Sequence, residues 1–193
     1  IREPVVSTAV LCGTFIGNAN AWSRRLAVLG AMAEGKRAVA LAHGEAAHHD
    51  MHRTGNTRAV PDKGGGFRLT GTKSPVLWGG NADAFIVSAI EPAASQSSWF
   101  YVTPQTPGVQ STSYALIDGS NACDLEMKDA PVPASDRIFG PGEGEAAIAE
   151  ALDKANLALI AEALGTMEAV LRISSEYIKT RVQFGQPIGK FQS

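Results

Sequence analysis

The sequence predicts an α+β fold, a small antiparallel β-barrel or sandwich flanked by helices. Three observations carry this. Apolar residues recur at helical spacing over residues 4–34. Short β-type runs broken by Gly, Pro and Asp fill residues 37–138. After the turn Gly140-Pro141-Gly142-Glu143-Gly144, only Gly165 interrupts a helical pattern before Gly185. These shifts set three regions: 1–35 as the end of a helical domain, 36–140 as a middle β domain, and 141–193 as one long helix with a tail.

Each element has its own local reason. Val5, Ala9 and Cys12, then Leu26, Leu29 and Met32, define two short helices with Gly17-Asn18 between them and Gly35 as the stop. The expected strands are 37–42, 57–60, 67–71, 73–77, 84–90, 99–103 and 124–128, several of them antiparallel neighbours. The last pattern makes a helix of about 40 residues, about 60 Å at the usual rise. Its apolar positions form two stripes, Ile148, Leu152, Leu159, Ala163, Val170 and Tyr177 on one side and Leu157, Ile160, Leu164, Leu171 and Ile178 on another. Two stripes need two packing partners, as inside a bundle, and the sequence holds no later helix. With no initiator Met and these faces unpartnered, the chain reads as a fragment.

Composition narrows the function classes. Seventeen basic and nineteen acidic residues give a formal charge of −2 over 193 residues, without the basic footprint of a nucleic-acid binder. Asn18, Asn20, Arg24 and Arg25 break the N-terminal apolar stretch well short of a membrane span, and no signal-peptide leader precedes it. Cys12 and Cys123 read as buried reduced thiols, which with the rest points to a cytoplasmic protein.

Some conspicuous residues have plain readings. Gly64-Gly65-Gly66 is expected to be a hairpin turn, because no helix start or Lys follows at phosphate-loop spacing. Trp99-Phe100-Tyr101 reads as a strand with one buried face, and Lys179 and Lys190 as solvated charges. All four histidines, His43, His48, His49 and His52, fall near Glu45 and Asp50. Their spacing repeats no metal-site pattern; three readings stay open, solvated loop histidines, a ligand contact by His48 or His49, and a metal site.

The closing stretch Arg181-Val182-Gln183-Phe184-Gly185-Gln186-Pro187-Ile188, followed by Phe191-Gln192, resembles the flavin-binding signature of acyl-CoA dehydrogenases. Further landmarks follow the family order: Ala38-Val39-Ala40-Leu41-Ala42-His43-Gly44-Glu45, Thr57-x-Ala59, Gly66-Phe67-x-Leu69-x-Gly71-x-Lys73, Ala82-Asp83-Ala84, Pro107-Gly108-Val109, Asp129-Ala130-Pro131-Val132-Pro133 and Leu152-Asp153. Each alone is weak, but together and in order they are specific. The resemblance implies an acyl-CoA dehydrogenase-like fold, here incomplete, and α,β-dehydrogenation of an acyl-CoA thioester. In that chemistry a carboxylate takes the α-proton while hydride passes to FAD.

The resemblance also implies site residues. Arg181 suits a pyrophosphate, Gln183 donates to the same phosphate, Phe184 offers a flat face near the adenine end, and Gln192 closes the signature. Val76 and Leu77 stand at the isoalloxazine position, and His49 in the segment over the flavin. Glu45, Asp153 and Asn156 match the acyl-CoA region. Departures are as informative. Ala46-Ala47-His48-His49-Asp50 replaces a run with a Gly-Ser pair, Leu77 stands where a Thr hydroxyl approaches flavin N5, and Ala155-Asn156 supply no carboxylate. The base is therefore expected beyond Ser193 or in a partner subunit. The implied assembly is a homo- or hetero-oligomer of dehydrogenase-like subunits that passes electrons to an acceptor protein. One alternative is a non-catalytic subunit that binds acyl-CoA or completes a partner's FAD site, as in mixed bacterial assemblies acting on bulky acyl chains.

Overall fold

The computed structural model describes residues 4–46 and 55–191. Packing divides the chain into two compact units, Ile1–Ala155 and Asn156–Ser193.

The first unit begins with a wide π-helical segment, Val5–Cys12, that tightens into α1 (Gly13–Gly17), followed by α2 (Arg25–Ala33). Eight strands follow: β1 (Val39–Ala42), β2 (Arg58–Pro61), β3 (Phe67–Leu77), β4 (Ala84–Glu91), β5 (Gln96–Val102), β6 (Val109–Ala115), β7 (Asn121–Val132) and β8 (Arg137–Phe139). They form one sheet in the order β6-β7-β3-β2-β4-β5-β8, with β1 attached to β4. The α+β class, a sheet flanked by helices, is as expected from the sequence, but the sheet is neither a closed barrel nor wholly antiparallel. Both β1 and β2 run parallel to β4, and the path among the described residues ends at β6 and β8 without closing.

The parallel pairing follows from burial on both faces, which favours continuous apolar runs over alternation. Ala40, Phe85, Val87, Phe100 and Val102 enter the core inside the curl of the sheet. Their neighbours Val39, Leu41, Ala84, Ile86, Trp99 and Tyr101 enter a second core under the helices. Trp99-Phe100-Tyr101 is accordingly buried on both faces, where the sequence suggested one. Phe15 of α1 fills the second core, 4.7 Å from the Trp99 ring centroid and 5.1 Å from that of Phe139. An aromatic enclosed this way contributes about 3–5 kcal/mol relative to Ala.

Polar ties hold the helices down. The Trp22 indole donates to the Ser135 carbonyl at 2.9 Å, and Arg24 pairs with Asp136 while lying over the Tyr101 ring. β3 runs unbroken where two strands were expected, with register shifts between Leu69 and Gly71 and between Lys73 and Val76. The Gly64-Gly65-Gly66 run does form the β2–β3 turn, closed by Asp62 N–H to the Gly66 carbonyl at 2.8 Å. Cys12 and Cys123 are both free and buried.

Helix α3 (Glu145–Thr180) has 36 residues. Gly144 just before it must be a glycine, because a Cβ there would lie 2.4 Å from the Trp99 ring. Its first turns bury Ala147, Ile148, Ala151 and Ala155. In the second unit both apolar stripes are bare, with Leu157, Leu164, Val170, Leu171 and Tyr177 all more than half exposed. No helix among the described residues is long and apolar enough to cross a membrane.

Candidate functional site

The densest polar cluster lies where the end of β1 meets β2, β3 and β4. Glu45 leaves β1 and accepts four hydrogen bonds: Asn56 N–H at 2.6 Å on one oxygen, and Thr57 N–H at 3.0 Å, Thr57 hydroxyl at 2.6 Å and Lys73 Nζ at 2.8 Å on the other. Lys73, fully buried in β3, also donates to the His43 carbonyl and the Ser88 hydroxyl. His43 Nδ1 lies 2.6 Å from Ser88 Oγ, and its ring stacks near Trp99. Lys73 takes a buried position of β3, whose sequence alternates polar and apolar residues, and only its partner identifies its use.

Burial pushes the Glu45 carboxyl up, but the bonds from Lys73, Thr57 and Asn56 outweigh it and hold the group at about 2. Burial lowers Lys73, with Glu45 opposing. The Glu45 carboxylate is therefore ionised at neutral pH, and its hydrogen bonds are satisfied, the condition under which a buried ion persists. Glu45, matched by resemblance to the acyl-CoA region, is bonded here to Lys73 and the start of β2 and is 9% exposed. Gly55 is required beside it, because a Cβ there would fall 2.1 Å from the carboxyl group.

At the end of β3 the two expected cofactor residues part company. Val76 is fully buried in the inner core, while Leu77 is half exposed on the opposite face. Trp78 follows in the left-handed conformation at φ 59°. On α3, Asp153 and Asn156 are exposed and Ala155 is buried. His48, His49, His52 and Gln192 lie outside the described residues.

The tail of the second unit is a miniature hairpin. β9 (Val182–Gln183) pairs with β10 (Gln186–Pro187), and Phe184 and Gly185 turn between them at φ 49° and 81°. Positive φ at both central residues is the signature of a type I′ turn, which matches strand twist but disfavours a bulky side chain. Gly185 adopts it freely; Phe184 does so at a cost and is 94% exposed, its ring edge-on to Phe191 at 6.2 Å. Arg181 N–H caps α3 on the Tyr177 carbonyl, and the Arg181 carbonyl accepts Ile188 N–H, both at 2.9 Å, leaving the guanidinium exposed. The hairpin thus brings Arg181, Gln183 and Phe184 onto one short exposed element.

Residues 142–193 match the family model of the acyl-CoA dehydrogenase C-terminal domain. An acyl-CoA dehydrogenase of Mycobacterium tuberculosis, FadE27, is 37% identical over 131 residues, which is 67% of this chain and 33% of that protein. The structure of butyryl-CoA dehydrogenase from Megasphaera elsdenii superimposes with a TM-score of 0.87 at 30% identity, over 97% of this chain and 51% of that one. The ChsE4-ChsE5 complex of Mycobacterium tuberculosis gives 0.77 at 29% identity, over 99% and 49%. The chain therefore spans about a third of that sequence relative and about half of the solved ones. In sequence and in fold, the chain belongs to the acyl-CoA dehydrogenase family.

Proposed function

We propose that the chain is part of a flavoprotein subunit that takes part in α,β-dehydrogenation of an acyl-CoA thioester. The observation that carries this reading is the exposed hairpin, which holds Phe184 in a disfavoured backbone conformation and fully bare beside Arg181. Strain of this kind persists where a site uses it, and a bare aromatic beside a fixed cation fits a dinucleotide with a flat base and a pyrophosphate. Leu77 fits as an apolar surface for a flat ring; Val76, being buried, does not.

FAD, when bound, supplies the hydride-accepting chemistry. This chain's residues do the holding. Arg181 offers two forked donors to phosphate oxygens, Gln183 adds an amide donor, and Phe184 covers an adenine face; Gln192 and His49 are assigned by resemblance. Leu77 excludes water from its side of the ring, though it donates no hydrogen bond. Asp153 and Asn156, both exposed on α3, contribute polar contacts to the acyl-CoA region. The base is supplied from outside the chain or by a partner subunit, and electrons leave to an acceptor protein.

A second reading is a non-catalytic subunit whose hairpin completes a partner's flavin site. It draws support from Ala155 and Asn156, which offer no carboxylate, and from the likeness to a two-component complex. Purifying the full-length protein alone and together with the product of its neighbouring gene separates the two. Flavin absorbance near 1:1, bleached anaerobically by acyl-CoA, is expected, and bleaching only in the mixed preparation selects the second reading. Absence of flavin from both preparations refutes both.

A further inference from the structure

The two ends of the sheet are guarded unequally. β8, at one end, has only three residues and carries Arg137. β6, at the other, runs seven residues from Val109 to Ala115, exposed from Gln110 onward and in unshifted register with β7. Its sequence Val-Gln-Ser-Thr-Ser-Tyr-Ala holds no charge and no proline. An open strand edge is a template for pairing with another chain, and short length, charges, prolines and bulges are the usual ways of blocking it. β8 uses two of these and β6 uses none.

Hydrogen bonds at both ends of β6 fix which backbone groups face outward. Lys128 N–H donates to the Gly108 carbonyl at 2.8 Å, and Leu116 N–H donates to the Ser120 carbonyl at 2.9 Å. Bonded and unbonded pairs alternate along an antiparallel ladder, so the even-numbered residues from Gly108 to Leu116 bond β7. Val109, Ser111, Ser113 and Ala115 turn their backbone groups to the open edge. The Val109 N–H is taken by the Thr106 carbonyl at 3.0 Å, and among the described residues no further strand pairs with this edge.

The edge is self-complementary. With a twofold axis at Thr112, a second, antiparallel β6 sets Ser111 opposite Ser113 on both sides of the axis, so the outward groups bond one another. The same register puts Thr112 against Thr112, Gln110 against Tyr114 and Val109 against Ala115. Thr–Thr and apolar pairs support a sheet, whereas like charges directly opposite oppose it, and residues 107–117 contain no charge. Ile117, fully exposed at the β6–β7 turn, falls opposite Pro107 of the second copy and gains an apolar neighbour.

We propose that the open edge of β6 pairs with the β6 edge of a second copy of this chain, extending the sheet across a twofold axis at Thr112. The proposal goes beyond the flavoprotein reading and does not depend on it.

The test uses the full-length protein and its Thr112→Cys variant. Directly opposed residues of an unbonded pair have Cα atoms about 4.5 Å apart, within disulfide range. Mild oxidation is therefore expected to link most of Thr112→Cys as a dimer that reductant reverses, while wild type, whose Cys12 and Cys123 are buried, stays unlinked. Gln110→Cys is the register control. Gln110 faces Tyr114, so two Gln110 positions lie about 14 Å apart along the strand, and this variant is expected to stay reduced. Thr112→Lys opposes two like charges at the axis and is expected to weaken self-association by about threefold or more in sedimentation velocity. Should Thr112→Lys fail to fold, Thr112→Cys decides, since it preserves size and exposure. Thr112→Cys thiols that stay free and react with maleimide, equal linking of Gln110→Cys, or self-association of Thr112→Lys equal to wild type overturns the proposal. So does linking of Thr112→Cys only to the product of the neighbouring gene, which would make a dissimilar subunit the occupant of the edge. The flavin content of the preparation enters neither outcome.

Discussion

Replacing Lys73 with Met removes the cation paired with Glu45 in a buried site and leaves the carboxylate, among the described residues, facing Asn56 and Thr57. The gap between the ordinary carboxyl value of 4.5 and about 2 corresponds to about 3 kcal/mol. Breaking a buried pair by removing one partner costs about 3–5 kcal/mol by general experience. For a chain of this size that lowers the melting temperature by about 6–20 °C. The pH dependence has a definite sign. Glu45 has a depressed folded value, so its contribution is complete above 4.5 and is lost as pH falls through about 2. Lys73, lowered by burial, acts at the other end: taken alone, it makes stability rise with pH between its folded value and 10.5. The difference between wild type and Lys73→Met should therefore be largest above pH 4.5 and shrink toward pH 2. Chemical denaturation across that range measures it, with the double variant Glu45→Leu/Lys73→Met expected to recover most of the loss. A difference below about 1 kcal/mol at pH 7, or one constant from pH 6 to pH 2, would refute the reasoning.

Three further outcomes are expected. Gly55→Ala drives a methyl group into the Glu45 carboxylate and should cost about 2–3 kcal/mol in urea unfolding, a loss that largely disappears in a Lys73→Met background because both changes break one clamp. Gly144→Ala forces a Cβ against the Trp99 indole and should cost about 1–3 kcal/mol, with a changed near-ultraviolet circular dichroism signal. Leu164→Lys with Leu171→Lys alters only exposed positions of α3, so the thermal stability of the separated subunit should move by less than about 0.5 kcal/mol. Light scattering should nonetheless report a smaller assembly.

The elements were readable where local chemistry sufficed. Gly35 does end the second helical pattern, at φ 68°, and the bare stripes of α3 carry the apolar residues whose period marked them out. β6 escaped because Gln110-Ser111-Thr112-Ser113 is polar and exposed on both faces, giving neither alternation nor an apolar run. β3 read as two strands because Gly71 looked like a terminator. In the fold it is a close approach, where a Cβ would lie 2.6–2.9 Å from Thr57 atoms, and the strand continues past it. Parallel pairing of β1 with β4 joins residues 45 positions apart, which no local pattern encodes.

By itself the sequence determined the helices, most of the strands, and the signature that names the family, since periodicity, turn residues and short motifs are local properties. Only the tertiary structure decided what the polar residues do. Glu45 and Lys73 stand 28 positions apart and become one buried pair through the β1–β4 and β3 ladders, while Val76 and Leu77 are neighbours sent to opposite faces. Burial and partnership are set by long-range contacts, and they separate a residue spent on stability from one left free to meet a ligand.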